Sequence, residues 1–220
     1  LNLIFSITLL QSFLQNFFMS TEPESSFATP ERTEKLRRVL ERKQPTLSVV
    51  LENVHDPHNV SAVLRSCDAV GIVEVFLVYY GGQKFPHLGE RSSASARKWI
   101  DCQHYTSIHD CYAALRERGF TILTTQMSRT SRSLYTLDLT QPTALVFGNE
   151  HSGVSDEAVE CADGNFLIPQ VGMIQSLNIS VACAVSVFEA FRQRMEQGMY
   201  DKPQFPPEEM VARLRDWQLR

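Results

Sequence analysis

The chain has 220 residues, of which 43% are hydrophobic and 21% charged, enough for one domain of ordinary size with a true core. Its formal net charge of −4 excludes a globally basic nucleic-acid binder but leaves room for a basic face on an acidic body. Five scattered cysteines, with no CxxC pair, exclude a disulfide framework and point to small buried thiols in a reducing, cytoplasmic setting.

Residues 1 to 18 are apolar and uncharged, without the basic start or small-residue cleavage site of a signal peptide. The expectation is an upstream extension with translation beginning at Met19, the alternative a membrane-associating segment. Residues 20 to 32 are rich in Ser, Glu and Pro and read as a linker. Thr29 as cap and Pro30 at the first helical position then open a short helix. Leu36, Val39 and Leu40 form its apolar stripe, ringed by Arg32, Lys35, Arg37, Arg38, Arg42 and Lys43. Such a run is ordinarily a solvated face; concentrated in one helix of an acidic chain, it is equally a candidate for RNA phosphates.

Strands and helices then alternate. Strands are predicted at 46–52, 73–79, 120–125, 143–148 and 165–169. Helices are predicted at 59–71, 107–119, 155–162 and 176–198, with Asn59, Ser155 and Ser176 as caps and Gly71, Gly119 and Gly198 as stops. Residues 81 to 98 read as loop, and 207–220 as a small terminal helix. The pattern predicts an α/β fold, a mostly parallel sheet covered by helices on both faces.

Polar clusters fall at three strand-to-helix junctions, where open α/β sheets bind ligands. In "ENVHDPHNVSAVLR", Arg65 stands about 9 Å along the helix from Asn59 at the standard rise. Its apolar neighbours call for an anionic partner, whether a ligand or an internal ion pair. In "LVFGNEHSGVSDEA", Gly148 after a buried strand suits close approach to a ligand, and Glu150 is either a carboxylate aimed into a cleft or a turn residue facing water. In "FLIPQVGMIQSLNIS", small and polar residues interrupt apolar surroundings, and the free amides of a helix start favour an anion. No dinucleotide fingerprint, P-loop or nucleophile elbow is present. His55 and His58 are only a pair, with no third ligand placed by spacing, so no metal is expected.

These three stretches, the last continued by "VACA…FEAFRQR", resemble the motifs of the SPOUT-class RNA 2′-O-methyltransferases, most nearly the TrmH type acting on guanosine 18 of tRNA. The likeness runs from about Thr29 to Tyr200. It implies a C-terminal deep trefoil knot, a homodimer, and S-adenosylmethionine as cofactor, bound around Thr125, Gly148, Ile168 and Leu177. It implies a catalytic centre of Arg65, Asn59, Glu150, Ser176 and Asn178. Arg32, Arg38, Arg42, Lys98, Arg192 and Arg194 are then the expected RNA contacts. The implied division is 1–28 extension and linker, 29–45 basic helix, 46–198 methyltransferase domain and 199–220 C-terminal extension. Methylation of another tRNA position or of ribosomal RNA, a noncatalytic RNA-binding protein, and a nucleotide-binding protein without RNA remain alternatives.

Overall fold

A computed structural model describes residues 28–82, 85, 96–128, 131–174 and 176–220. The expectations for residues 1 to 27, and most of the loop predicted at 81–98, lie outside these. The elements in chain order are α1 (Pro30–Leu40), β1 (Leu47–Glu52), α2 (Pro57–Ala69), β2 (Glu74–Val78), β3 (Asp101–Tyr105), α3 (Ile108–Glu117), β4 (Thr121–Thr125), β5 (Arg132–Ser133), β6 (Thr143–Phe147), α4 (Asp156–Cys161), β7 (Gly164–Leu167), α5 (Ile179–Glu196) and α6 (Pro207–Leu219). Single 3-10 turns lie at Ala96–Lys98 and Leu134–Thr136.

The seven strands form one sheet in the order β3-β2-β1-β6-β4-β7-β5, and every pairing is parallel. β1 is buried at every residue. Successive side chains leave a strand on opposite faces, so Val49 and Leu51 enter one core while Val50 enters another. β6 repeats this, with Leu145 and Phe147 on the first face and Ala144 and Val146 on the second. Helices α2 and α5 cover the first face, α3 and α4 the second. Each of these apolar side chains, fully removed from water, stabilises the fold by about 1.5–3 kcal/mol relative to leaving it exposed. The predicted fold class is therefore the observed one.

Two strands escaped the sequence. β3, "DCQHY", is an edge strand of half-exposed residues with little apolar content, and β5 is two residues long. Two caps also differ. Asp56, not Asn59, caps α2 by accepting from the His58 amide at 2.8 Å, with Pro57 following at the first helical position. Asn178, not Ser176, caps α5 by accepting from the Ser180 amide at 2.9 Å. The first correction frees Asn59 of a capping role, and the second gives that role to Asn178 in place of Ser176.

α1 and α6 pack together through a third apolar cluster of Leu36, Leu40, Val73, Phe205, Met210 and Trp217. Asp101 on β3 ties α6 to the sheet edge through Arg213 at 3.1 Å and Arg220 at 3.2 Å. Among the described residues, no helix is long and apolar enough to cross a membrane.

Candidate active site

The sheet order turns back between β1 and β6, since β2 and β3 extend one way from β1 while β4, β7 and β5 extend the other from β6. Such a reversal leaves a crevice beyond the carboxyl ends of the strands. A cavity of about 580 Å³ lies beside that reversal, beyond the carboxyl ends of β6, β4 and β7. Its lining includes the four residues expected around the cofactor, Thr125, Gly148, Ile168 and Leu177, together with Glu150, Ser176 and Asn178. Phe147, Phe166 and Ile179 add apolar residues to the lining, and Gln126, Asn149 and Gln170 add polar ones. That volume and mixture suit a small organic ligand with an apolar body and a few hydrogen-bonding edges.

At the mouth, side chains from three junctions join. Asn178 Nδ2 donates to Asn59 Oδ1 at 3.1 Å, and Asn59 Nδ2 donates to Glu150 Oε1 at 3.0 Å. The Glu150 carboxylate also accepts from the amides of Asp56 at 3.4 Å and His55 at 3.5 Å. Partial burial pushes the Glu150 carboxyl up. The hydrogen bonds from Asn59 and from the amides of Glu150, Asp56 and His55 outweigh it and leave the group below its ordinary value. Glu150 is thus an anion held by donors; it sits in an exposed turn and also lines the cavity, so both features expected of it from the sequence are present. Ser176 lines the cavity without joining the network.

Arg65 differs from expectation. It is exposed on α2, and it forms no ion pair or hydrogen bond among the described residues. Val63 and Leu64, which argued for an internal partner, turn into the core, while Arg65 faces out. The structure does not bring it into the Asn59–Glu150 network.

Gly148 is required for a reason other than ligand approach. A Cβ built on it would stand 2.1 Å from backbone atoms of Gly153 and Val154. The loop folds back on itself there, with Asn149 and Gly153 exchanging two backbone hydrogen bonds of 2.9 Å. Backbone cannot yield as a flexible side chain does, so Gly148→Ala should open the loop. We expect at least a tenfold loss of the activity this site carries and a stability loss of about 1–3 kcal/mol. Wild-type activity and an unchanged unfolding midpoint in this variant would refute the close-packing argument.

The expected RNA contacts divide. Arg32, Arg42 and Lys98 are exposed, and Arg38 is exposed beside Glu34 at 3.5 Å. Lys43, grouped with them in the sequence, is buried and paired with Asp68 at 2.8 Å. Arg192 is exposed but bound to Glu189 at 2.8 Å and Glu196 at 2.6 Å. Arg194 is a correction: it is 0% exposed and donates only to groups of its own chain, so it cannot meet a phosphate. No group of three or more His, Cys, Asp or Glu among the described residues could hold a metal ion.

The sequence missed Glu52, Asn53, Tyr80 and Asn149, which hold the loop after β6 against the end of β1. Glu52 had a legible signal, a carboxylate closing a run of buried apolar residues. Asn53 had less, because only the folded backbone reveals its left-handed φ of 50°.

Residues 46–188 match the SpoU rRNA Methylase family. The chain belongs to that family. It is 48% identical over 191 residues to the tRNA (guanosine(18)-2′-O)-methyltransferase of Thermus thermophilus, covering 85% of this chain and 97% of the relative. The crystal structure of the A. aeolicus TrmH/SpoU tRNA modifying enzyme superposes with a TM-score of 0.80 at 39% identity, covering 86% of this chain and 95% of that one. The AdoMet-bound rRNA methyltransferase of Sinorhizobium meliloti superposes with a TM-score of 0.61 at 28% identity, covering 71% of this chain and 59% of that one. This SpoU-family chain thus matches the tRNA enzymes nearly end to end and the ribosomal enzyme over only part of its length.

Proposed function

We propose that this protein transfers a methyl group from S-adenosylmethionine to the 2′-hydroxyl of guanosine 18 in tRNA. The observation that carries the reading is the Asn178–Asn59–Glu150 network beside a cavity beyond the carboxyl ends of β6, β4 and β7. The cofactor fits the cavity in size and in its mixture of apolar and polar lining. Thr125, Gly148, Ile168 and Leu177 would hold it, largely through backbone. When bound, it supplies a methyl group on a sulfonium, a good leaving group.

The chain's own residues align and neutralise. Asn59 and Asn178 present amide groups to the ribose edge, and Glu150 fixes the Asn59 amide by accepting from it. Arg65 stays protonated, because a guanidinium has a pKa above about 12. It binds the phosphate beside the target ribose and stabilises the negative charge that develops on the 2′-oxygen. The hydroxyl proton leaves to that phosphate or to water.

Arg32, Arg38, Arg42 and Lys98 supply further phosphate contacts, with α1 and α6 flanking a methyltransferase unit of residues 46 to 198. β7, late in sequence, lies between the earlier β4 and β5, an insertion consistent with a knotted chain. On α5, Val181, Phe188 and Met195 are 46%, 48% and 51% exposed at seven-residue intervals, an apolar stripe suited to a second copy in a homodimer. An enzyme of tRNA belongs in the compartment that holds tRNA, the cytoplasm.

The test is methyl transfer from labelled S-adenosylmethionine to unmodified tRNA transcripts, one with guanosine 18 and one with another base there. Label on the first alone is the expected result. Label on both would move the target to another nucleotide. Label on ribosomal RNA alone would replace tRNA by ribosomal RNA, and cofactor binding without transfer to any RNA would overturn the enzymatic reading.

A further inference from the structure

Glu52, the last residue of β1, is a carboxylate only 2% exposed. Such a group is costly to bury unless every acceptor site is used. No cationic side chain pairs with it among the described residues; hydrogen-bond donors satisfy it instead. Its Oε2 accepts from the Ser155 amide at 2.9 Å, and its Oε1 accepts from Ser155 Oγ at 2.5 Å and from the Tyr80 hydroxyl. Ser155 ends the loop after β6 and caps α4.

The next residue anchors the other end of the same loop. The carbonyl of Asn53 accepts from Asn149 Nδ2 at 2.9 Å, and its Oδ1 accepts from the Tyr80 amide at 3.1 Å. Asn149 Oδ1 in turn accepts from the amides of His151 at 2.7 Å and Ser152 at 3.3 Å. Two adjacent residues at the end of β1 therefore hold both ends of residues 149 to 155, and Tyr80 binds both of them. Glu150 stands on that span, and its carboxylate accepts from Asn59 Nδ2 at 3.0 Å.

We propose that Glu52, with Tyr80, is a positioning residue for methyl transfer, setting the place of Glu150 through the loop 149–155. The proposal rests on the reading of Glu150 and Asn59 as part of the catalytic centre. Glu52 touches neither substrate nor cofactor. Its carboxylate serves because two acceptor oxygens on one side chain satisfy three donors from two different loops. Glutamine keeps the shape but turns one acceptor into a donor, which faces the Ser155 amide donor or the Tyr80 hydroxyl.

The experiment compares methyl transfer by the full chain carrying Glu52→Gln, Tyr80→Phe, Glu150→Gln and Glu52→Gln with Glu150→Gln. Glu52→Gln is expected to lower kcat more than tenfold with the KM for tRNA changed less than twofold. In the Glu150→Gln background the same change is expected to cost less than twofold, because its effect passes through Glu150. Tyr80→Phe, which removes one donor and keeps the ring, is expected to lower kcat about threefold and carries the test if Glu52→Gln does not fold. Equal losses in both backgrounds, or a rise in KM alone, would overturn the proposal.

Amide hydrogen exchange reads the same clamp without turnover. Exchange across 149–155 should quicken in Glu52→Gln while β1 and β6 stay protected. Unchanged exchange there would overturn the clamp even if the chain methylates no RNA, whereas quickened exchange in an inactive wild type would locate the error in the proposed function.

Discussion

Arg65→Ala is expected to reduce methyl transfer about 100- to 1000-fold, the loss typical of removing one preorganised group that stabilises developing charge. The argument starts from a negative feature. Arg65 is exposed, and no carboxylate of the described chain neutralises it, although the protein carries more acidic than basic residues. Exposed arginines elsewhere are paired by contrast: Arg116 with Asp163 at 3.1 Å and Arg118 with Glu74 at 2.6 Å. An unpaired cation on the helix that also carries Asn59 is available to an anion that arrives with the substrate. Because the side chain is exposed, its removal should change stability by no more than about 0.5 kcal/mol. Arg65→Lys keeps the charge but loses the planar fork, so its activity should fall between wild type and alanine. Single-turnover transfer measured beside thermal unfolding separates the cases. Activity of the alanine variant within about threefold of wild type would remove Arg65 from the mechanism. A large drop in the unfolding midpoint would make its role structural.

What the sequence made legible follows from what kind of residue carries each feature. The core strands are runs of Val, Leu, Ile and Phe whose burial needs no context, so β1, β2, β4 and β6 could be placed, with their alternation between two cores. A cavity at those junctions could be anticipated as well, because polar residues at the ends of buried strands have few structural uses there. Which polar residue does which task depended on the folded backbone. Asp56 rather than Asn59 caps α2 because the helix begins one turn-forming Asp-Pro earlier, and that leaves the Asn59 amide free for Glu150 and Asn178. Gly148 has a further reason that the sequence did not show, the close approach between two parts of its own loop. β3 was missed because an edge strand needs no apolar run. Arg192 and Arg194, two positions apart on one helix, were read alike. Residues two apart on a helix face directions about 200° apart, and these two have opposite fates.

Arg194→Ala is expected to destabilise the protein by about 3–5 kcal/mol, whereas Arg192→Ala should cost no more than about 1 kcal/mol. Arg194 is buried against the entrances to the two central strands. Its Nε donates to the Leu139 carbonyl at 2.9 Å. Nη1 donates to Gln44 Oε1 at 3.2 Å and Thr46 Oγ1 at 2.9 Å, and Nη2 to the carbonyls of Thr46 at 2.9 Å and Gln141 at 3.0 Å. Five N–H groups meet five acceptors, the full capacity of a guanidinium. Burial lowers its pKa to about 10, which still leaves it charged at neutral pH. Truncation would strand those acceptors away from water, each at a cost of about 1–3 kcal/mol where no water replaces the donor. Lysine brings one charge and three donors on a different geometry and should recover only part of the loss. For a chain of this size the alanine change corresponds to a fall in unfolding midpoint on the order of 10 °C. Below that midpoint the folded variant should bind tRNA with wild-type salt dependence. The opposite pattern, an unchanged midpoint with a salt slope reduced by about one, would make Arg194 the phosphate contact that its sequence neighbourhood suggests. The expected pattern assigns it instead to joining the C-terminal part of α5 to the starts of β1 and β6, the two strands whose far ends build the site.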